Sequence, residues 1–417
     1  MPIKNVEFCL ILGVQTMMKK TVFIAFLLHI LGSVLCAEIF FSGFAGAKFD
    51  FDSKKDSSDF DPQLKIQSFF AGQLNLSSNT IVHGEFSLKT EDIIENSLFK
   101  ETPASFQIDE LSIIHRQQLL SATNYLSFFV GTYEPIGSDI FLRRQFGIQP
   151  ISSRITESWL GLAGSIIYPL FGVGGADIVH FDSYPIATGV YIYVNHELDD
   201  CYVFNAAYRF ACVYRFFTLD ITAGIGVPLE SSNYDDAFIV VDKVYWRGGF
   251  NMLIGNAYTT SLFIQGGISD IPFTKRDEKF EFDEEKTYLL FEPRFRGKKC
   301  QVDVTAFSLP EDTVKDFIFI NDTLGMNINI YTDNLYFKNK MFLFGINASL
   351  TFPDKNFSHL GTPTDLFDDY SIAAAPYLEL KLFNGELHSM VQVNFTDIMD
   401  SDWYKAFKIS IGYKSQF

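Results

Sequence analysis

Seven histidines and five cysteines are the residues with which this 417-residue chain could do base, nucleophilic or metal chemistry, and their spacing decides most of the question. His388 and Ser389 are neighbours. On a strand, neighbours point to opposite faces, so this pair cannot act as base and nucleophile together. His180 with Asp177 and Asp182, and His359 with Asp365, are the only loose acid/base candidates, and unpaired surface histidines explain both far better. No G-x-x-x-x-G-K-[ST], G-x-S-x-G, H-E-x-x-H or C-x-x-C occurs. The glycines at 172, 174 and 175 have no strand-then-helix context for phosphate binding and read as a turn or bulge cluster. Beyond the first 37 residues only Cys201, Cys212 and Cys300 remain, an odd number at spacings that define neither a disulfide framework nor a metal site; a Cys201–Cys212 bridge stays open. The expectation is therefore no catalytic residue, no metal and no cofactor.

What remains is charge placed at alternate positions. Arg209, Lys243, Arg247, Glu292, Arg294 and Arg296 each fall on the polar phase of an apolar–polar repeat of period two. In Phe217 to Val227, for instance, Phe217, Leu219, Ile221, Ala223 and Ile225 alternate with Thr218, Asp220, Thr222, Gly224 and Gly226. Such alternation puts one side chain type on each face of a strand. It recurs along the chain. The pattern predicts strands at Glu38–Phe51, Gln63–Leu76, Thr80–Thr90, Ala104–His115, Asn124–Glu134, Arg154–Tyr168, Pro185–Glu197, Cys201–Val213 and Phe217–Val227. It continues with Phe238–Gly255, Tyr258–Ser269, Lys286–Arg296, Cys300–Ser308, Phe317–Tyr331, Met341–Phe352, Ser371–Phe383, Glu386–Thr396 and Trp403–Phe417. Connections after even-numbered strands are mostly tight, as at Ser77–Asn79, Gly297–Lys299 and Asn384–Gly385, a dipeptide suited to a two-residue hairpin. Those after odd-numbered strands are longer and more acidic. Pro169–Tyr184 fits this parity worst, which widens the expected count from 18 to a range of 16 to 20.

Composition agrees with a wall of strands. The chain has 45 Phe and 19 Tyr but 14 Pro, and its hydrophobicity is spread through alternation. The net charge of −17 becomes about −19 without the first 37 residues, with acid clustered between apolar segments, which speaks against nucleic-acid binding. Lys19-Lys20, the apolar run Thr21–Leu35 and the small residues ending at Cys36-Ala37 form a secretory signal peptide, so that residues 1–37 are removed and 38–417 form one domain. Cleavage after Cys36 or Ala37 both fit; a lipidated Cys36 is disfavoured by Leu35.

The last residues, Phe407 to Phe417, alternate Phe407, Ile409, Ile411 and Tyr413 with Lys408, Ser410, Gly412 and Lys414, and end on Phe. This resembles the closing strand by which bacterial outer-membrane β-barrels are recognised by their barrel-assembly machinery. The resemblance covers essentially the whole mature chain and is to the porin architecture. It implies an all-β, transmembrane antiparallel β-barrel of about 18 strands with short periplasmic turns and longer extracellular loops, set in outer-membrane lipid of a diderm bacterium. Pro135–Ser153 carries Ile140, Phe141, Leu142, Phe146 and Ile148, too apolar for a solvated loop. At this ordinal position general porins fold a loop into the barrel, so the resemblance implies a constriction placing Asp139, Arg143 and Arg144 in the pore, with packing on the rim or on a neighbouring subunit as the other reading. Arg209, Lys243, Arg247, Arg294 and Arg296 then form a basic pore wall, or pair with Glu292 and Asp303 in a filled barrel. The expected function is passage of small hydrophilic solutes. A surface adhesin or receptor using the acidic loops, and a transporter of hydrophobic substrates, are the alternatives; a homotrimer is what general porins would imply.

Overall fold

The structure, a computed structural model, describes residues 40–53, 60–94, 104–135, 137–148, 151–156, 171–198, 201–229, 243–274, 286–310, 322–337, 340–353, 355–361, 369–399 and 403–417. The expected signal segment lies outside them. Strands run β1 Phe40–Ser53, β2 Pro62–Asn75, β3 Thr80–Thr90, β4 Ala104–Leu119, β5 Ala122–Gly131, β6 Gly172–Phe181, β7 Ile186–Leu198, β8 Cys201–Tyr214, β9 Phe217–Pro228 and β10 Lys243–Ile254. They continue with β11 Ser261–Thr274, β12 Thr287–Arg296, β13 Cys300–Ser308, β14 Leu324–Thr332, β15 Leu335–Phe337, β16 Lys340–Phe352, β17 Ser371–Leu382, β18 Gly385–Asn394 and β19 Phe407–Gln416. Each pairs antiparallel with its chain neighbour, and β19 pairs back onto β1 from Phe44↔Gln416 to Phe51↔Ile409. The three-residue β15 prolongs β14 along β16 after a break, so the closed wall has 18 strands.

Closure fixes the dimensions. Passing from Cα partner to Cα partner once round the wall returns to β1 displaced by about 20 residues, a shear that sets the strand tilt near 37° and the backbone radius near 17 Å. Strands of 10–14 residues at that tilt rise about 26 Å or more, enough for an apolar membrane band of about 25 Å.

The burial pattern is that of a soluble protein turned inside out. Arg209, Asp220, Gln265, Glu292, Arg294, Asp303, Asn327 and Asn329 are all 4 % exposed or less, while Phe128, Ile192, Tyr208, Phe291, Met326 and Phe344 are exposed. The two sets alternate along the same strands, as on β9, where Thr218, Asp220 and Thr222 are buried while Ile221 and Ala223 are exposed. Apolar side chains outward need lipid; polar groups inward need one another or water. No helix among the described residues is long and apolar enough to cross a membrane.

One strand differs from expectation. Instead of Arg154–Tyr168, β6 is Gly172–Phe181, inside the segment read as a misfit connection. Arg154 to Thr156 belong to the loop before it, and residues 157–170 lie outside the described set. The glycines are there for steric reasons. A Cβ on Gly172 would stand 2.6 Å from the Tyr193 ring, and one on Gly174 would stand 2.1 Å from the Ile192 carbonyl oxygen, so β6 lies too close to β7 for side chains. The correction makes 182–185 a tight turn and strengthens the parity; residues 199–200 between β7 and β8 are its exception. At the β17–β18 hairpin the turn is Phe383-Asn384, both at positive φ (47° and 61°), one residue earlier than Asn384-Gly385.

Candidate functional site

In the connection between β5 and β6, the described residues 132–135, 137–148 and 151–156 turn into the barrel. Gly131, at φ 114°, begins the turn, and the Thr132 amide donates to the Asp109 carbonyl at 2.7 Å. A two-turn helix, α1 (Ile140–Phe146), follows and is stopped by Gly147 in the left-handed region (φ 62°), whose amide donates to the Arg143 carbonyl. Phe141 and Leu142 are fully buried, and with Ile151 and Ile155 they pack on Phe129, Ile178, Tyr191, Phe263, Tyr288, Leu290 and Phe307, interior side chains from β5 round to β13. This is where the apolar residues of the segment find their burial.

Polar contacts pin the loop to the wall. Asp139 Oδ2 accepts from the Ile151 amide (2.9 Å), the Ser152 amide (3.0 Å) and Ser152 Oγ (2.6 Å), which ties the start of α1 to the return strand of the loop. Arg144 Nη2 donates to Glu110 Oε1 on β4 at 2.6 Å. Tyr191 donates to Glu134 at 2.6 Å, and Arg209 donates to the Glu134 carbonyl at 2.7 Å. On the far side Ser153 donates to Glu292, and Arg294 donates to the Ile151 carbonyl at 2.6 Å. Arg154 then reaches Glu379 on β17 at 3.2 Å and lies over the Tyr331 ring of β14 at 4.6 Å. Glu134 and Asp139 sit in the loop, outside the spanning strands. Burial pushes both carboxyls above the usual range, opposed by Arg144 and Arg209 for Glu134 and by the Ser152 donors for Asp139.

The wall arginines are on the interior face, and three of them are matched by carboxylates. Arg209 makes a two-pronged pair with Asp220 (2.8 and 2.5 Å), Arg294 pairs with Glu292 at 2.7 Å, and Arg296 pairs with Asp303. Arg247 donates to Tyr193 at 3.1 Å. Lys243 opens β10, and its side chain lies outside the described residues. Of the loop residues, Asp139 is buried as a structural acceptor, Arg144 is an anchor, and Arg143 is exposed on the free side of α1. Arg154 and Glu134 are loop contacts with no signal in the sequence pattern, whereas Glu379 has the polar phase of a lumen residue and only its partner was hidden. Arg154 lies in the loop and not in a strand, and Glu134 and Glu379 find their partners only when the loop is inside.

The loop thus covers the interior from β4 to β13, and Arg154 alone extends it to β14 and β17. On the remaining flank, β18, β19, β1, β2 and β3, Phe69, Ala71 and Met390 are buried in a second apolar cluster with Leu343 and Tyr377, and charged residues surround it. There Lys48, Lys65, Lys89, Lys408 and Lys414 keep part of their side chains exposed. Lys48 pairs with Asp50 at 2.9 Å and Lys414 with Glu386 at 3.7 Å. Interior residues of β8 to β13, by contrast, are sealed beneath the loop.

A closed antiparallel wall of 18 strands, apolar outside, polar inside and carrying an inward-folded loop, is a transmembrane β-barrel of the porin type. Among solved structures the chain resembles a mutant of the Rh. blastica porin (8 % identity, 91 % of this chain and 100 % of that one, TM-score 0.36). It also resembles Pseudomonas putida OprB (9 %, 91 % and 94 %, TM-score 0.45) and the Escherichia coli capsule-assembly protein Wzi, described as a carbohydrate-binding β-barrel (10 %, 92 % and 85 %, TM-score 0.43). No protein-family model matches the chain. No curated protein matches it.

Proposed function

We propose that the protein is a passive channel for small hydrophilic solutes in the outer membrane of a diderm bacterium. The observation that carries this reading is the asymmetry of the interior. The loop seals the face from β4 to β13, while lysine side chains on β1, β2, β3 and β19 stay partly exposed beside the Phe69–Met390 cluster, inside a wall of about 17 Å backbone radius. Solutes pass between α1 and that flank, where Lys48, Lys65, Lys89, Lys408 and Lys414 stand among Asp50, Glu85 and Glu386. Arg143 faces the passage from the loop, which Arg144 anchors to β4 and Asp139 closes on itself. The paired arginines of β8 to β12 fasten the loop and contribute little net field. No chemical step is needed, because passage is governed by width and charge placement. The test is reconstitution of the purified, folded barrel in a planar bilayer. Stepwise ohmic current that shrinks with larger uncharged solutes is expected; a folded protein that never conducts overturns the reading.

A further inference from the structure

On β3, His83 and Glu85 are two residues apart and so share the interior face; Glu110 on β4 is the direct partner of Glu85. A β-bulge follows immediately, where the register slips between Glu85 and Phe86 and Asp109 becomes the extra residue, the kind of irregularity that re-aims side chains beside a site. His83 Nε2 lies 2.5 Å from Glu85 Oε1, and one ligand atom from each of His83, Glu85 and Glu110 falls within 4.8 Å of the others. Two carboxylates directly across a strand pair repel each other unless a cation stands near. Arg144 answers only part of this. Together with Ser112 Oγ it takes Glu110 Oε1, both at 2.6 Å, whereas Oε2 has no hydrogen-bond partner although Glu110 is 1 % exposed. A buried carboxylate oxygen with no protein donor has a free lone pair that a cation or a bound water can take, and the second carboxylate across the strand pair favours the cation.

We propose that His83, Glu85 and Glu110 bind a divalent transition-metal cation of the zinc class. One imidazole nitrogen with two carboxylates suits zinc, nickel or cobalt; calcium and magnesium prefer an all-oxygen set. The ion arrives from the passage, since His83 and Glu85 keep 16 % and 9 % of their side chains exposed. Counting Arg144, the site carries one net negative charge with His83 neutral, so a dication is accepted. Its second consequence is mechanical. Glu110 would hold the ion and the loop's Arg144 on one carboxylate, and the two cations repel; occupancy therefore loosens one anchor of the loop. The proposal holds whether or not the barrel conducts.

The test is calorimetric titration of the metal-stripped, folded full-length barrel with zinc chloride alone, alongside calcium and magnesium chloride. One zinc equivalent is expected, weakened about tenfold or more in His83→Ala and in Glu85→Gln, with neither calcium nor magnesium binding there. Absence of zinc binding, or binding undiminished in both variants and hence supplied by other ligands such as the exposed Cys300, overturns the proposal. A measurement on the unaltered protein stands beside it. Cobalt chloride should give intense visible ligand-field bands of low coordination number; bands no stronger than those of the aqueous ion count against the site.

Discussion

Replacing Asp139 by Ala removes the acceptor that closes the inward loop on itself, and the cost can be worked from its partners. The Ile151 amide, 2.9 Å from Oδ2, is buried with Ile151 at 2 % exposure, while the Ser152 amide and hydroxyl are partly accessible to water. An orphaned buried amide costs about 1–3 kcal/mol, and the half-accessible one less, so the docked loop loses about 2–4 kcal/mol. That raises the undocked population about 30- to 1000-fold. The wall's backbone ladder is untouched, so folding of the barrel itself should not change. Trypsin is the assay, because Arg143, Arg144 and Arg154 all lie in the loop and cleavage of a rapidly opening segment tracks its open population. Asp139→Ala should be cut faster by that factor, with bursts of current noise in single-channel records. Equal cleavage rates and unchanged traces in the two proteins would refute the view that Asp139 holds the loop inside.

Three further outcomes follow from the wall. Arg209→Ala strands Asp220, itself 3 % exposed, and should cost about 3–5 kcal/mol by thermal unfolding, most of it regained when Arg209→Met is combined with Asp220→Leu. Ile328→Arg puts a charge at the middle of β14 on the lipid face and should lower folding stability in vesicles by about 2–4 kcal/mol, while Lys408→Arg on the interior face stays within about 0.5 kcal/mol. Phe417 stacks on Phe41 (5.4 Å) and Phe70 (5.6 Å) at the closing seam; Phe417→Ala should lower the urea midpoint by an amount equivalent to about 1–2 kcal/mol without changing the slope.

Much of the wall is readable from residues alone because lipid outside and water inside force period two. Thr80–Thr90 and Cys300–Ser308 coincide with their strands, and Phe407 to Phe417 closes onto β1 as its pattern requires. The sixth strand escaped for a physical reason. Its glycines answer to the close approach of Tyr193, a neighbour known only once the sheet is assembled, whereas the alternation after Arg154 belongs in part to a loop buried by tertiary contact. The pairs Arg209–Asp220 and Arg296–Asp303 bridge adjacent hairpin strands across the turns at 215–216 and Gly297–Lys299; pairing of the wall arginines with Glu292 and Asp303 was legible in the sequence, and Arg209–Asp220 follows once the hairpin register is set. Contacts such as Arg144 to Glu110 or Ser153 to Glu292 have no such local signal, since they exist only because the loop folds inward. The trio His83, Glu85 and Glu110 stood in plain view as alternating polar residues, and only the cross-strand register joins them.

The most direct test of the account uses Arg143, the loop side chain exposed on the side away from the wall. With Cys201, Cys212 and Cys300 changed to Ser, Arg143→Cys is exposed during recording to a membrane-impermeant, negatively charged methanethiosulfonate. If α1 borders the conducting passage, current falls in one step per channel on modification and recovers on reduction. Complete modification that leaves the current unchanged would contradict the account.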